Sequence, residues 1–261
     1  MFEIDNRNDS SGKRRLIFGF RLSELHPDEI AEIIFSTEAY CVKETQLIVT
    51  PNVDHIVRLQ KDALFREIYR YSSIITADGF PVVKYACWQG YRLENRVTGH
   101  DILASIIKKI SSDKRRIFFV VNSKSTAEGI IKRFNEIGFP EDLVGCESPP
   151  MGFEKDESYC KTLVNMISQH QPNILVLGVG CPKSEKFVYQ YRKSLNARWA
   201  ICVGDAVSVW SGTSRRAPEW AQKYNLEWAW RVKSDPRRLL KRYFWDSRFF
   251  IGALFKDIFY S

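Results

Sequence analysis

The order of apolar and polar residues along the chain predicts alternating strands and helices. Short runs rich in β-branched and aromatic residues have the composition of buried strands, and they lie at 47–50, 73–76, 117–121, 173–178 and 199–204. Longer amphipathic segments predict helices at 53–71, from about 101, at 125–137 and at 185–195. In the first of these helices, Ile56, Leu59, Leu64 and Ile68 fall on one side. Strands that alternate with helices are typical of a parallel α/β sheet.

Polar clusters follow several of the predicted strands. They are Thr50-Pro51-Asn52, Ala77-Asp78-Gly79, the stretch 178–185, and Gly204-Asp205. Each cluster alone has the composition of an ordinary turn, because Gly, Pro, Asn and Asp are the residues that turns require. Ligands of open parallel sheets, however, bind beyond the carboxyl ends of the strands. The shared position of these clusters therefore indicates one binding site at that edge of the sheet.

Charge divides the chain unevenly. The 261 residues carry a formal net charge of +8, and 44% of them are hydrophobic, which is enough for a large core. Residues 215–261 contain eleven Lys and Arg against five Asp and Glu, a net of +6. Such a local excess favours an anionic partner, either phosphate or an acidic membrane surface. We expect a flexible N-terminus at 1–14, an α/β core at 15–214 and a basic appendage at 215–261.

The cysteines and histidines give no pattern of a disulfide framework or a metal site. Six cysteines occur without a C-x-x-C pair, and four histidines occur without metal-ligand spacing. Free cysteines in a reducing cytosol and no bound metal are the expectation. Met1 is followed by acidic and polar residues rather than the apolar run of a secretory signal, and no run reaches the length of a membrane span.

An ordered series of motifs makes a family resemblance visible. The motifs are TPN at 50–52, ADGFP at 77–81, RVTGHD at 96–101, GCPKSE at 180–185, SG at 211–212, RAPEW at 216–220, LEWAWR at 226–231 and DPRR at 235–238. This series resembles the WecG/TagA/CpsF family of glycosyltransferases. The resemblance implies a Rossmann-like parallel core of the GT-E type, a nucleotide-sugar donor (usually a UDP-sugar), a polyprenyl-diphosphate-linked sugar acceptor, inversion at the anomeric carbon, and neither a metal nor a cofactor.

Inverting transfer needs a base near the acceptor hydroxyl and groups that stabilise the departing diphosphate. Asp78 suits the first role, since it is a carboxylate at a strand end before a glycine, and the resemblance implies the same role; the alternative is a turn or helix-cap aspartate. Arginines and helix N-termini suit the second role, because the chain has no Asp-x-Asp for a donor-bound metal. The candidate donor-site residues are Thr50, Asn52, Gly79, Arg96, Asp101, Gly178, Pro182, Lys183, Glu185 and Gly204.

Two departures from the family pattern leave a second function open. The family commonly has Gln where this chain has Ser184, and Phe-Asp where it has Val207-Ser208, while Asp205 occupies a place that is usually small. These changes put the donor identity in doubt. They also keep open a non-catalytic protein that binds nucleotide-sugars within an assembly complex. Nucleic-acid binding is disfavoured, because positive charge alone is non-specific and no nucleic-acid motif occurs.

The segment 236–261 combines cations with aromatic residues. Apolar residues recur there at helical spacing, namely Leu240, Phe244, Ile251, Leu254, Phe255 and Ile258. An interfacial helix that inserts apolar side chains among lipid headgroups has this composition, while a helix packed on the core is the alternative. The resemblance places Arg231, Arg237 and Arg238 near the acceptor diphosphate. We expect a cytoplasmic protein on the inner face of the cell membrane, and a homo-oligomer remains open.

Overall fold

A computed structural model describes residues 16–36, 43–218, 221, 227–234 and 248–260. Its centre is a six-stranded sheet in which every pairing is parallel, with the strand order β2-β1-β6-β5-β3-β4. The strands are β1 (Gln46–Val49), β2 (Ile74–Ile75), β3 (Ile117–Val120), β4 (Val144–Glu147), β5 (Ile174–Leu177) and β6 (Trp199–Cys202). The Rossmann-like parallel sheet expected from the sequence is confirmed. The five strands predicted as apolar runs are all present.

Helices cover both faces of the sheet. The described helices are α1 (Pro27–Ser36), α2 (Val53–Lys61), α3 (Ala63–Tyr71), α4 (Phe80–Trp88), α5 (Gly99–Asp113), α6 (Lys124–Glu136), α7 (Glu157–His170), α8 (Lys183–Tyr191), α9 (Ala206–Trp210), α10 (Glu227–Ser234) and α11 (Arg248–Tyr260). Two apolar cores result, one on each side of the sheet. The first lies under α2, α3, α4, α7, α8 and α11, and the second lies under α1, α5, α6 and α9.

The single helix predicted at 53–71 is wrong, because the chain breaks at Asp62 and forms α2 and α3. The Asp62 carboxylate accepts a hydrogen bond from the backbone N–H of Phe65 at 3.0 Å and so caps the second helix. The break also changes which residues face the core. Leu64, expected on the apolar side, is 44% exposed, whereas Phe65 is fully buried.

The C-terminal helix α11 packs against the core face that contains α2. Phe250 and Ala253 are buried there, and the Asp257 carboxylate accepts hydrogen bonds from the backbone N–H of Phe18 at 2.5 Å and from the Tyr85 hydroxyl at 2.7 Å. A C-terminal helix is therefore present, as expected. The positions 236–247 of the predicted amphipathic segment, including Leu240 and Phe244, lie outside the described residues.

Within the part of the chain that the structure describes, no helix combines the length and the apolar character needed to cross a membrane.

Candidate active site

A cleft of about 520 Å³ opens at the carboxyl ends of the strands. Residues that follow five of the six strands line it: Thr50 after β1, Asp78 after β2, Asn122 after β3, Gly178 after β5 and Gly204 after β6. Parallel strands bring their carboxyl ends to one edge, so residues distant in sequence meet there. The cleft lies at the edge of the sheet where the sequence predicts a binding site. The C-terminal part of the chain contributes further lining residues, namely 215–217, Glu227 and Trp230.

Asp78 stands in the cleft wall and is half-buried. Its backbone N–H donates a hydrogen bond to the Pro51 carbonyl at 3.1 Å, which ties the loop after β2 to the loop after β1. The next residue, Gly79, caps α4, and a Cβ on it would lie 3.4 Å from Cα and Cβ of Asn52. The two loops are therefore in close contact. Their packing holds the carboxylate at the edge of the cleft.

Asn52 has a structural task in addition to its place in the cleft. Its side-chain oxygen accepts a hydrogen bond from the Asp54 N–H at 3.0 Å and lies 2.9 Å from Nδ1 of His55. The backbone N–H of Asn52 in turn donates to Nδ1 of His55 at 3.4 Å, which completes a capping box at the start of α2. Thr50, two residues earlier, is buried and lines the cleft. The sequence indicated Asn52 only as a candidate donor-site residue, and its capping contacts become visible in the fold.

Three side chains form a buried group at the cleft, which we call the His55 cluster: His55 from α2, Cys181 from the loop after β5, and Glu185 from α8. Nε2 of His55 lies 3.5 Å from Oε1 of Glu185, and Glu185 is only 3% exposed. Burial alone would lower the pKa of His55, but Cys181 and Glu185 outweigh burial and raise that pKa well above its usual value. Burial raises the pKa of the Cys181 thiol despite the opposing effect of His55.

The His55 cluster is the group in the described part of the chain that could hold a metal ion. One potential ligand atom from each side chain lies within 4.8 Å of the other two. Glu185 was expected at the site from the sequence, but His55 and Cys181 were not. Their linear spacing carries no signal, since the fold alone brings α2 beside the loop after β5.

The glycine-containing loop after β5 lines the cleft and also has packing and backbone requirements of its own. Gly178 lines the cleft, but a Cβ there would lie 2.1 Å from Cγ2 of Val207, so close packing of α9 requires this glycine. Gly180 has a φ of +88°, which favours glycine, and the Cys181–Pro182 peptide bond is cis. Pro182 does not line the cleft but immediately precedes α8. The side chain of Lys183 reaches the cleft, with its Nζ 3.7 Å from a Glu154 oxygen.

Four of the expected donor-site residues do not line the cleft, namely Gly79, Pro182, Arg96 and Asp101, and the last two pair with residues that do. Arg96 forms an ion pair with Glu227, with 2.5 Å between Nη1 and Oε2. Asp101 completes a capping box with Thr98 at the start of α5, and its second oxygen lies 3.6 Å from Arg216. Each therefore reaches the cleft only through a partner that lines it. Of the expected acceptor-site arginines, Arg231 falls in α10, whereas Arg237 and Arg238 lie outside the described residues.

The cleft also contains residues that were not among the expected site residues, although some of them belong to the motifs of the family resemblance. Arg215 and Arg216 are exposed and face it together with Lys183. His100, Asn122 and Trp230 line it as well. The two arginines directly follow the expected core boundary at 214, so residues on both sides of that boundary build the site. Strand-end patterns cannot reveal them, because they follow a short helix and not a strand.

The fold and cleft together define a Rossmann-like α/β protein with a polar cleft at the carboxyl edge of a parallel sheet, lined by both carboxylates and cations. The chain belongs to the WecG/TagA/CpsF family of glycosyl transferases, whose sequence profile matches residues 15–261.

Related proteins are known in several bacteria. The chain is 28% identical over 193 residues to the N-acetylglucosaminyldiphosphoundecaprenol N-acetyl-beta-D-mannosaminyltransferase of Bacillus subtilis (strain 168), covering 74% of this chain and 73% of that protein. Proteins of the same name from Bacillus spizizenii (strain ATCC 23059 / NRRL B-14472 / W23) and Staphylococcus aureus (strain MRSA252) are 27% and 24% identical. The match to the Bacillus spizizenii protein covers 73% of this chain and 72% of that protein. The match to the Staphylococcus aureus protein covers 74% of this chain and 73% of that protein.

Proposed function

We propose that this protein is an inverting glycosyltransferase that moves a sugar from a nucleotide-sugar, in particular a UDP-sugar, to a polyprenyl-diphosphate-linked saccharide. Bacterial exopolysaccharide, capsule or wall-polymer synthesis is the process that uses such a product. The single observation that carries the proposal is that Asp78 shares one cleft with three cationic side chains, Lys183, Arg215 and Arg216. Membership in a family of glycosyl transferases supports it.

In the proposed reaction, the Asp78 carboxylate takes the proton of an acceptor hydroxyl as that oxygen attacks the anomeric carbon of the donor. The bond between the anomeric carbon and the diphosphate oxygen breaks, and its electron pair leaves with the nucleoside diphosphate. Attack opposite to the leaving group inverts the anomeric configuration. The acceptor sugar thereby gains a glycosidic bond, and one proton is transferred to the enzyme.

Lys183, Arg215 and Arg216 stabilise the negative charge that grows on the leaving diphosphate. Fixed cations can carry out this task without Mg²⁺ or Mn²⁺ bound to the donor, and Asp-x-Asp is absent from the sequence. Arg96 is an additional cation at the edge of the cleft, where it pairs with Glu227. Arg231, Arg237 and Arg238 remain the proposed contacts of the acceptor diphosphate.

The proposed acceptor requires the enzyme to work at a lipid surface. A polyprenyl chain keeps its diphosphate and sugar at the membrane boundary, so the protein has to reach that boundary from the side on which the nucleotide-sugar is made. We therefore propose peripheral association with the inner face of the cell membrane. Exposed apolar side chains on α11, including Phe255 and Phe259, support this part of the proposal.

The decisive experiment is transfer from a panel of radiolabelled UDP-sugars to an undecaprenyl-diphosphate-linked N-acetylglucosamine acceptor, with anomeric analysis of the product. Loss of a general base lowers rates by about 10²–10⁴-fold. The transfer rate of Asp78→Asn should therefore fall by that factor, while UDP binding persists. Asp54→Asn, which changes another carboxylate of the cleft, is the matched control and should retain most activity. Added Mg²⁺ or Mn²⁺ should leave the rate unchanged. If Asp78→Asn transfers sugar at a near-normal rate, Asp78 is not the general base.

The alternative is a non-catalytic protein that binds nucleotide-sugars. One observation favours it: the buried Ser208 hydroxyl, at a position where the family commonly has Asp, has no hydrogen-bond partner. UDP binding without product across the whole panel of donors and acceptors would establish this alternative. Product formation from any donor would exclude it.

A further inference from the structure

The His55 cluster contains three different side chains of the kinds that bind transition metals. The Sγ of Cys181, an imidazole nitrogen of His55 and a carboxylate oxygen of Glu185 all lie within 4.8 Å of one another, with 3.5 Å between His55 Nε2 and Glu185 Oε1. Ligand atoms bound to one tetrahedral zinc ion are roughly 3.3–3.6 Å apart, given bonds of about 2.0–2.3 Å. Side-chain rotations of small amplitude therefore bring all three atoms to bonding distance of one ion.

The carboxylate of Glu185 supplies an independent observation. Only 3% of this residue is exposed to solvent. Its Oε2 atom is buried and has no hydrogen-bond partner. A buried carboxylate oxygen without a partner is costly, and native proteins pair such groups with donors or metal ions. His55 approaches the other oxygen at 3.5 Å, which is beyond the length of a good hydrogen bond. A protonated His55 would supply one positive charge, but it faces Oε1 and leaves Oε2 without a partner.

The orientation of His55 fits a metal ligand. Its Nδ1 lies 2.9 Å from the side-chain oxygen of Asn52, to which it donates when protonated at that atom. This contact leaves Nε2 directed at Glu185. Metal-bound histidines usually donate their other ring N–H to an oxygen in this way, which fixes the tautomer and the ring orientation. The side chain of Asn52 at the start of α2 thus provides the outer support that such a ligand needs.

We propose that His55, Cys181 and Glu185 form a zinc site at the cleft. Thiolate, imidazole and carboxylate together suit Zn²⁺, whereas Mg²⁺ and Ca²⁺ prefer oxygen ligands alone. The ion replaces the thiol proton of Cys181 and any proton on His55 Nε2, and both protons go to solvent. All three residues border the cleft, so a fourth coordination position faces it. The site departs from the metal-free protein expected from the sequence.

The ion would join elements that follow two different strands. His55 belongs to α2 after β1, whereas Cys181 and Glu185 belong to the loop and helix after β5, and β6 separates these strands in the sheet. Its role is to fix the geometry of this part of the cleft. It is distinct from a donor-bound Mg²⁺ or Mn²⁺, and the inference does not rest on the proposed function.

Zinc binding to the full-length protein without an affinity tag, kept under reducing conditions, tests the inference. Equilibrium dialysis followed by elemental analysis should give one Zn²⁺ per chain. Replacement of zinc by Co²⁺ should produce the thiolate-to-cobalt charge-transfer band that reports cysteine ligation. Loss of a residue that supports a metal ligand weakens metal affinity by about 10–100-fold. Cys181→Ser and His55→Gln remove a ligand itself, so each should weaken zinc affinity by more than about 100-fold.

Cys146→Ser is the matched control, since Cys146 is a partly buried cysteine on β4 outside the cluster. It should bind zinc like the wild type. Circular dichroism of each metal-free variant checks the fold, and Cys181→Ala serves if Cys181→Ser does not fold. Substoichiometric zinc in the wild type, unchanged affinity in both Cys181 variants, or a cobalt form without the thiolate band would each overturn the inference. Sugar transfer by a protein without zinc would leave the proposed function intact while removing this site.

Discussion

The guanidinium of Arg96 pairs with the carboxylate of Glu227, and this contact joins the core to α10 at the edge of the cleft. Nη1 and Oε2 are 2.5 Å apart, and the two side chains are 23% and 21% exposed. Glu227 lines the cleft, whereas Arg96 does not. A donor diphosphate that recruits Arg96 therefore competes with Glu227 for the same guanidinium.

The first prediction follows from this competition. Glu227→Gln removes the competing charge, so the affinity for UDP should rise several-fold, in keeping with about 0.2–1 kcal/mol for a partly exposed ion pair. Arg96→Ala should weaken UDP binding, and adding Glu227→Gln to it should change nothing further. Isothermal titration calorimetry of UDP with the four proteins of this cycle measures the coupling.

Glu136→Gln is the control for that cycle, because it removes a single exposed ion pair, to Lys132 on α6. It should leave UDP affinity unchanged. If Glu227→Gln binds UDP equally well or more weakly than the wild type, Arg96 does not exchange Glu227 for the diphosphate.

Strand positions were predictable because buried parallel strands are almost wholly apolar. Ile117–Val120 and Ile174–Leu177 are fully buried, and both stand out in the sequence. The edge strand Val144–Glu147 does not, since three of its four residues are half-buried and carry no apolar signal. The break between α2 and α3 was hidden as well, because apolar spacing continues across Asp62 while the cap depends on one side-chain hydrogen bond.

The site was predictable only where it depends on strand ends. Thr50 and Asp78 directly follow strands, so their meeting at one edge of the sheet could be inferred. His55 could not be placed, because a histidine inside an amphipathic helix has the pattern of an ordinary core position. The pairing of Arg96 with Glu227 likewise depends on how the C-terminal part of the chain returns to the core.

A second prediction concerns the attachment of α11. Asp257 is 5% exposed and accepts hydrogen bonds from Phe18 N–H and the Tyr85 hydroxyl. Asp257→Ala leaves two buried donors without this acceptor, so the free energy of unfolding should fall by about 3 kcal/mol. Urea unfolding measures the loss. Asp257→Asn keeps one acceptor oxygen, so its unfolding free energy should fall by less. Lys256→Ala, at the neighbouring exposed position, is the control. Equal stability of all three variants would contradict this assignment.

A third prediction concerns acid stability. Burial opposes the charged form of Asp62, but hydrogen bonds from Lys186 and the Phe65 N–H outweigh it and lower the pKa of this carboxyl. A lowered native pKa stabilises the fold above the unfolded pKa, and that stabilisation disappears as the pH falls through the native pKa. Asp62→Asn can still cap α3, so at pH 7 it should cost about 0.5–1 kcal/mol through the lost charge.

Urea unfolding of wild type and Asp62→Asn between pH 7 and pH 3 checks the sign. The difference in unfolding free energy should be constant near neutrality and shrink below about pH 4, where the unfolded carboxyl becomes protonated. A difference that grows on acidification would show that the native pKa of Asp62 is not lowered.

The outer face of α11 is apolar although the helix is docked on the core. Ile251, Phe255 and Phe259 are 58%, 58% and 71% exposed, and they recur at intervals of four residues. The rings of Phe255 and Phe259 stack with their centroids 6.3 Å apart. One helix thus packs on the core through Phe250 and Ala253 and presents a second apolar face to its surroundings, so the two sequence-based alternatives for this segment are compatible.

The last prediction uses that outer face to test peripheral membrane binding. A phenylalanine side chain that leaves water contributes about 1.5–3 kcal/mol, so Phe255→Ser with Phe259→Ser should lower partitioning to anionic phospholipid vesicles by at least about tenfold. The melting temperature should change little, because both side chains are exposed. Met151→Ser, which changes a 99% exposed residue in a loop, is the control in vesicle co-sedimentation. If the double variant still binds vesicles like the wild type, α11 does not insert, and the protein reaches its lipid-linked acceptor through another surface.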